Sequence, residues 1–160
     1  MEIRKLKAAE ADFLKEMLYE AIFIPEGHEP LPKSILEDES LSKYFINWGK
    51  DVYDIALVAE TENNLIGAIW GRLFDEENQG FGFVDAQTPE LSMAIKPNFR
   101  SKGIGTKLME AIAVLYKNIG VKQLSLSVDK VNRASELYTR LGCQITGETE
   151  TSWTMVKSLR

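Results

Sequence analysis

The stretch NFRSKGIGTKLME (98–110) has two glycines, Gly103 and Gly105, between a basic residue and the first turns of a predicted helix. A glycine-rich turn that leads into a helix N-terminus presents backbone N–H groups and the positive end of the helix dipole to an anion. With Arg100 and Lys102 adding full charges at its edge, the turn suits a pyrophosphate. The candidate phosphate-binding N–H groups are those of Ser101, Lys102, Gly103, Ile104, Gly105 and Thr106.

Two common nucleotide-binding loops do not fit this stretch. A Walker loop requires G-x-x-x-x-G-K-[ST], which occurs nowhere in the chain. A dinucleotide-binding fingerprint requires a third glycine, and GIGTKL (103–108) has Leu108 at that position. What remains is a basic residue, Arg100, three positions before G-x-G at the start of a helix.

Apolar spacing predicts an α/β domain built on one sheet, in the order β-α-α-β-β-β-α-β-α-β-β. The most distinctive local pattern is a hairpin in which TENN (61–64) joins two apolar β-forming runs. The predicted strands are 2–6, 54–60, 64–74, 90–97, 121–128, 143–148 and 151–157. The predicted helices are 8–23, 34–48, 103–119 and 133–141.

Composition limits the function classes. The 160 residues are 44% hydrophobic and 27% charged, which is ordinary for one globular domain, here 1–160. The net charge of -5 argues against a nucleic-acid-binding surface. One cysteine, Cys143, and one histidine, His28, leave no disulfide and no structural zinc cluster, so we expect no metal. No signal peptide or membrane span is recognisable, which predicts a cytoplasmic protein without membrane partners.

Two motifs resemble those of a known family. LSMAIKPNFRSKGIGTKLMEAI (91–112) resembles the acetyl-CoA signature of the GNAT (N-acetyltransferase) family. NRASELYTRLGCQITGE (132–148) resembles the second signature of that family, except that Cys143 stands where a phenylalanine is common. The resemblance implies a single mixed, mostly antiparallel sheet flanked by helices, with acetyl-CoA as cosubstrate. The implied reaction is direct transfer of the acetyl group to a primary amine.

The resemblance also implies roles for residues in both motifs. Tyr138 matches a tyrosine that reaches the CoA sulfur, and a phenol with a pKa of about 10 can protonate the leaving thiolate. Packing at helical spacing beside Leu137 and Leu141 is the structural alternative for Tyr138. Asn132 and Ser135 match positions that help to hold the cofactor, and Asn132 is also a good N-cap.

The resemblance implies that the strand 90–97 binds the thioester. Family members splay this strand away from its parallel neighbour, so that a backbone N–H near Met93 or Ala94 can stabilise negative charge on the thioester oxygen. Met93 and Ile95 would line the CoA arm. Glu90 begins the strand, where several family members have a carboxylate that deprotonates the amine; an exposed strand-end glutamate is the alternative.

Other catalytic candidates remain open at this level. Glu60 and Asp85 are rivals of Glu90 as the base, and the sequence does not rank them. His28 lies in a Pro-rich loop that borders the acceptor site in the family, although a solvated loop histidine is the simpler interpretation. Cys143 as a catalytic thiol lacks a nearby histidine in the sequence.

The acceptor would be bound by the variable segments 21–35, 75–89 and 148–153. Their acidity favours a cationic amine, either a small molecule or a protein or peptide amine. A non-catalytic acyl-CoA-binding or sensor domain, and a protein-interaction module, are the other functions considered. The family often pairs through its C-terminal strands, so a homodimer is a further expectation. The acidic residues concerned are Glu26, Glu29, Asp75, Glu76, Glu77 and Asp85.

Overall fold

The computed structural model describes residues 1–160 and contains seven strands and four α-helices. The strands are β1 (Glu2–Lys5), β2 (Ile55–Thr61), β3 (Asn64–Arg72), β4 (Glu90–Ile95), β5 (Gln123–Asp129), β6 (Gln144–Glu148) and β7 (Ser152–Ser158). The helices are α1 (Asp12–Ala21), α2 (Glu39–Ser42), α3 (Ile104–Asn118) and α4 (Ala134–Arg140).

All seven strands form one sheet in the order β1-β2-β3-β4-β5-β7-β6. Only β4 and β5 run parallel, and every other neighbouring pair is antiparallel. This confirms the expected single mixed, mostly antiparallel sheet with flanking helices.

Apolar cores cover both faces of the sheet. On one face, α3 buries Leu108, Ile112 and Tyr116 completely, because its apolar residues recur at helical spacing. On the other face, α1 buries Leu14 against a second cluster that includes Trp70 of β3. Alternate side chains of a strand point to opposite faces of its sheet, so those of β4 contact two different cores.

Both predicted hairpins are confirmed. In the β2–β3 turn, Glu62 and Asn63 have φ values of 49° and 65°, the left-handed backbone that a two-residue hairpin turn requires. β6 and β7 form the C-terminal hairpin, and β7 lies between β5 and β6 in the sheet. The terminal hairpin therefore extends the sheet beyond β5.

The single helix expected over 34–48 is wrong. The chain there forms a 3₁₀ turn at Lys33–Glu37, the four-residue α2, and then further turns. Asp38 separates the first two because its backbone is extended and its side chain caps α2 by accepting from the Ser40 amide at 2.9 Å. After α2, the guanidinium of Arg72 donates to the carbonyls of Lys43 and Ile46 at 2.9 and 2.7 Å, which satisfies them without a helix.

Smaller differences concern boundaries. α1 begins at Asp12, because Ala8–Glu10 forms a 3₁₀ turn closed by the Glu10 carboxylate on the Lys7 amide at 2.8 Å. β3 ends at Arg72, two residues earlier than expected. No helix in the chain has the length and apolar character needed to cross a membrane.

Gly71 offers a test of the packing between β3 and α3. A Cβ at this position would lie 2.2 Å from the Tyr116 hydroxyl, which is fixed by donating to the Tyr53 carbonyl at 2.7 Å. We expect Gly71→Ala to lower the free energy of unfolding by about 1–3 kcal/mol, measured by urea denaturation.

The matched control is Gly147→Ala in β6, where the nearest atom would be 3.7 Å from the new Cβ, an ordinary contact. Its effect should stay within about 0.5 kcal/mol. Equal losses from the two substitutions would mean that the contact with Tyr116 is not the cause.

Candidate active site

A cleft of about 1400 Å³ opens where β4 and β5 part. The two strands share one bridging pair, Glu90 with Ser125, and diverge beyond it. The end of α1, the loop before α3, α4 and the segment 22–41 complete the walls. The splay that the resemblance implied is therefore present, and it creates the cleft.

The peptide groups of β4 alternate between its two neighbours. Pro89 accepts from the Ser125 amide on the β5 side at 3.0 Å, and the Lys96 amide donates to Ile66 on the β3 side at 2.8 Å. Alternation along the strand then turns the Met93 peptide group towards the open gap and that of Ala94 towards β3. Of the two amides considered from sequence, only that of Met93 faces the cleft.

The loop before α3 presents a run of free amides. The first amide at the start of α3 with a backbone partner is that of Lys107, which donates to Gly103 at 3.3 Å, and no side chain caps the helix. Ser101 and Gly103 have φ values of 61° and 82°, so the chain turns twice through left-handed backbone. The N–H groups of 101–106 are thereby left available at a helix N-terminus.

The basic residues of this loop point in different directions. Arg100 lines the cleft, donates from Nε to the Ile95 carbonyl at 2.8 Å and pairs with Glu20 of α1 at 3.5 Å. The Lys102 ammonium lies over the ring of Phe99, 5.6 Å from its centroid, and Lys102 is absent from the cleft wall. The Lys102 ammonium, which was expected at the edge of the phosphate-binding turn, therefore points away from the cleft.

Tyr138 lines the cleft from α4 and is 8% exposed. Burial raises the pKa of its phenol, so the hydroxyl is protonated at neutral pH, and no protein group hydrogen-bonds to it. Asn132 also lines the cleft while its side chain accepts from the Ala134 amide at 2.9 Å, so it caps the start of α4 as expected. Ser135 does not reach the cleft wall.

Glu90 lies at the closed end of the gap and is 4% exposed. Its Oε2 accepts from the Tyr44 hydroxyl at 2.5 Å, while its Oε1 is buried without a hydrogen-bond partner. Burial raises the pKa of this carboxyl to about 7, against the opposing effects of the Tyr44 hydrogen bond, of the nearby Gly82 amide, which approaches without hydrogen-bond geometry, and of the Lys43 charge. Glu90 can therefore exchange a proton near neutral pH.

Tyr44 is a site residue that sequence reasoning missed. Its hydroxyl also accepts from the Phe81 amide at 2.7 Å, and its ring stacks on that of Phe81 with centroids 6.2 Å apart. The turn 80–82 covers the Glu90 carboxyl so closely that a Cβ on Gly80 would lie 2.2 Å from Oε1. Tyr44 therefore holds both the carboxyl and the turn above it; no signal in the sequence distinguishes it from other apolar-face residues of 34–48.

The rival bases lie outside the cleft. Glu60 pairs with Arg4 at 3.2 Å between β2 and β1. Asp85 accepts from the Gln87 amide and the Thr88 hydroxyl within its own turn, at 2.9 and 2.8 Å. His28 is exposed and does not line the cleft.

The acidic loop residues singled out from the sequence do not line the cleft either, because the loops point their polar side chains to solvent. The carboxylates on the α1 side of the cleft are instead Glu20, Asp38 and Glu90. Among the aromatic residues of these regions, Phe23 and Phe81 line the cleft, whereas Trp70 and Phe74 are buried in the core.

The residues present fit a CoA thioester. A free amide run at a helix N-terminus suits a pyrophosphate, and the unpaired peptide groups of β4 suit an amide-bearing arm lying along the strand. Gly105 lets this helix start approach β4, because a Cβ there would lie 3.2 Å from both the Met93 methyl and Leu137. No group of three or more acidic, His or Cys side chains is arranged to hold a metal ion.

The raised pKa of Glu90 has a consequence for stability. Its value is about 7 in the folded chain against an ordinary 4.5, so the fold favours the protonated form. This contribution is fully present below pH 4.5 and is lost as the pH rises through about 7. Glu90→Gln should therefore gain stability relative to the wild type between pH 5 and pH 8, by roughly 2–3 kcal/mol in denaturant titrations.

A matched control for this pH dependence is Glu26→Gln, since Glu26 is exposed and does not line the cleft. Its difference from the wild type should not change with pH. A constant difference for Glu90→Gln as well would contradict the raised pKa.

Known proteins share this architecture. PaiA N-acetyltransferase of Thermoplasma acidophilum, solved with coenzyme A, is 21% identical and superposes with a TM-score of 0.71 over 98% of both chains. The yncA protein of Salmonella typhimurium, solved with acetyl-CoA, is 19% identical, with a TM-score of 0.68 over 100% of this chain and 94% of that one.

The matches to sequence relatives cover only part of each relative's length. Mycothiol acetyltransferase of Propionibacterium freudenreichii subsp. shermanii is 23% identical over 119 residues, 74% of this chain and 36% of the relative. Thialysine N-epsilon-acetyltransferase of Bos taurus is 40% identical over 57 residues, 35% of this chain and 34% of the relative. The matches thus span about a third of the relatives. The acetyltransferase (GNAT) family profile matches residues 16–143, and the chain belongs to this family.

Proposed function

We propose that the chain is an acetyl-CoA-dependent N-acetyltransferase that transfers the acetyl group directly to a primary amine. The observation that carries this proposal is the cleft at the β4–β5 divergence, which is lined by both Tyr138 and Glu90. A neutral phenol and a carboxyl that titrates near neutral pH are the two proton-transfer groups that the reaction needs.

The phosphate end binds the cosubstrate. The amides of 101–106 receive the pyrophosphate, and the exposed peptide groups of β4 receive the arm that follows it. Acetyl-CoA supplies an acetyl group activated as a thioester, whose C–S bond breaks as the amine nitrogen bonds to the carbonyl carbon. The Met93 N–H faces the gap and donates to the carbonyl oxygen where negative charge develops.

Glu90 accepts the proton that the amine must lose. An alkylammonium has a pKa of about 10, so the amine arrives protonated at neutral pH. The Glu90 carboxyl accepts this proton through a water molecule, because its Oε1 is buried beneath the turn 80–82. Tyr44 is the positioning residue, since its hydroxyl fixes Oε2 and leaves Oε1 as the remaining acceptor.

Tyr138 donates a proton to the departing sulfur. Its phenol stays protonated because burial raises its pKa, and its hydroxyl is not engaged by any protein group. A donor without a competing partner can turn towards the sulfur as the thiolate forms. The second proton that the nitrogen loses, as the tetrahedral intermediate collapses to the amide, restores the Tyr138 phenol directly or through solvent, and Glu90 releases to solvent the proton it accepted.

A binding-only acyl-CoA domain explains the phosphate loop but not Glu90. A carboxyl oxygen buried without a partner costs stability, and such groups are concentrated at functional sites. Holding CoA through its pyrophosphate and arm does not require this carboxyl. The orphaned Oε1 therefore favours the enzyme over the binding module.

Tyr138→Phe tests the acid. We expect kcat for CoA release from acetyl-CoA, with an accepted amine, to fall by roughly 10²-fold because the thiolate leaves without a proton. The rise in melting temperature caused by acetyl-CoA should remain, since the phosphate loop is intact. CoA release is followed with a thiol reagent.

Tyr53→Phe is the control, a tyrosine outside the cleft that loses the same hydroxyl. It should retain wild-type kcat. An unchanged kcat in Tyr138→Phe would remove Tyr138 from the mechanism. Acetyl-CoA binding without turnover on any amine would favour the binding module.

The pH profile tests the base. Because Glu90 must be ionised to accept a proton, kcat should fall as the pH drops below about 7. Tyr44→Phe removes a hydrogen bond that favours the carboxylate, so this limb should move to higher pH by about one unit. A loss of kcat in Tyr44→Phe with no shift of the limb would indicate a purely structural role.

A further inference from the structure

The charges lining the cleft are not evenly distributed. Its three arginines, Arg100, Arg133 and Arg140, belong to the loop before α3 and to the α4 region, where the phosphates of the cosubstrate would lie and where Asp129 and Glu136 also line the cleft. The end enclosed by α1 and the segment 22–41 has carboxylates and contributes no lysine or arginine to the lining. Glu20 is neutralised by Arg100 at 3.5 Å, which leaves Asp38 and Glu90 as the negative groups of that end.

These two carboxylates differ in depth and in state. Asp38 is exposed, and hydrogen bonds from the Ser40 hydroxyl and amide lower the pKa of its carboxyl, so it stays ionised. Glu90 is buried with Oε1 unpartnered, and it lies on the cleft wall. A permanent negative charge at the entrance and an unsatisfied carboxyl oxygen at depth both favour an ammonium group entering between them.

The rest of this end is apolar. Its tyrosine hydroxyls are engaged, since Tyr19 donates to the Leu31 carbonyl and Tyr44 donates to Glu90, whereas Ser92 of β4 lines the cleft with a hydroxyl that makes no hydrogen bond to the protein. An acceptor body here therefore meets hydrocarbon and aromatic surface and few free polar groups. The principal apolar lining residues are Ile22, Phe23, Leu31, Ile35, Leu41 and Phe81.

Two lysines near this end have their ammonium groups engaged outside the cleft, although the charge of Lys43 is still felt by Glu90. The Lys43 ammonium donates to the Gln79 carbonyl at 2.7 Å, and that of Lys33 lies over the ring of Tyr19, 5.8 Å from its centroid. Neither lysine lines the cleft. A carboxylate on the acceptor would therefore be desolvated beside Asp38 and Glu90 without a cationic partner, which is unfavourable.

From this arrangement we infer that the acceptor is a primary monoamine with an apolar alkyl or aryl body and no carboxylate. The inference rests on the proposed acetyl transfer and names the substrate class of the same cleft. Amino acids, which carry a carboxylate beside the amine, are discriminated against by charge and not by size.

The experiment compares amines that differ only next to the nitrogen. CoA release is measured with phenethylamine, phenylalanine and phenylalaninol, and with isoamylamine and leucine. We expect kcat/KM for each amine to exceed that of its amino acid by at least 100-fold. Phenylalaninol has nearly the bulk of phenylalanine but lacks its carboxylate, so its kcat/KM should fall within tenfold of that for phenethylamine.

Asp38→Asn keeps the hydrogen-bonding oxygen that caps α2 but removes the charge. It should lower kcat/KM for phenethylamine several-fold while the melting shift caused by acetyl-CoA stays the same. Glu26→Gln, an exposed carboxylate outside the cleft, is the matched control and should leave both values unchanged.

The outcomes separate this inference from the proposed reaction. Phenylalanine or leucine used within tenfold of the matching amine would overturn the acceptor class while acetyl transfer stands. The same holds if turnover occurs only with polyamines or peptide amines. Binding of acetyl-CoA with no CoA release on any amine, amino acid, polyamine or peptide would overturn the transfer reaction itself.

Discussion

The parting of β4 and β5 is the constraint on which the rest of the structure depends. Two parallel neighbours that share one bridging pair leave the β5-facing peptide groups of β4 beyond Glu90 without strand partners, while those that face β3 stay paired. Backbone groups in such a gap need a replacement for the missing ladder. A bound molecule with its own amides supplies it, so the defect in the sheet is at once the binding surface. The helices on either side of the gap then determine what can approach from each end.

The two ends of the cleft suit groups of opposite charge, and they do so with different chemical groups. At the start of α3, negative charge is met mainly by backbone N–H groups, which are fixed by the left-handed turns at Ser101 and Gly103. At the other end, positive charge is met by carboxylates whose surroundings keep one ionised and the other near its titration point. Both ends border the same strand, so in the proposed reaction the thioester and the amine would meet along β4.

The sequence predicted the parts of the site that depend on local chemistry. Gly103 and Gly105 alone predicted a tight turn at a helix start, which is a common feature, and the acetyl-CoA signature around them made this turn a candidate phosphate loop. The two family motifs predicted the sheet and the place of Tyr138. The strand order itself follows from the motifs and not from periodicity alone.

The remaining parts depend on contacts between distant segments. The apolar residues of 34–48 fit a helix, and it is Arg72, far along the chain, that binds their carbonyls in another conformation. Tyr44 is brought to Glu90 by that conformation. Glu60, Asp85 and Glu90 look alike in sequence, and only burial distinguishes them. The directions of Lys102 and Ser135 are likewise set by tertiary packing.

The irregular segment 22–49 gives the two walls of the cleft different local stabilities. Between residues 23 and 34 only His28 donates a backbone hydrogen bond, to Pro25 at 3.1 Å, whereas 35–46 is held by turn hydrogen bonds and is tied to the sheet through Arg72 and through the Trp70 indole on the Tyr44 carbonyl at 3.0 Å. The amides of 23–34 should exchange with solvent deuterium through local openings that leave β4 and α3 intact. The acceptor wall can therefore loosen and reclose while the phosphate loop keeps its form.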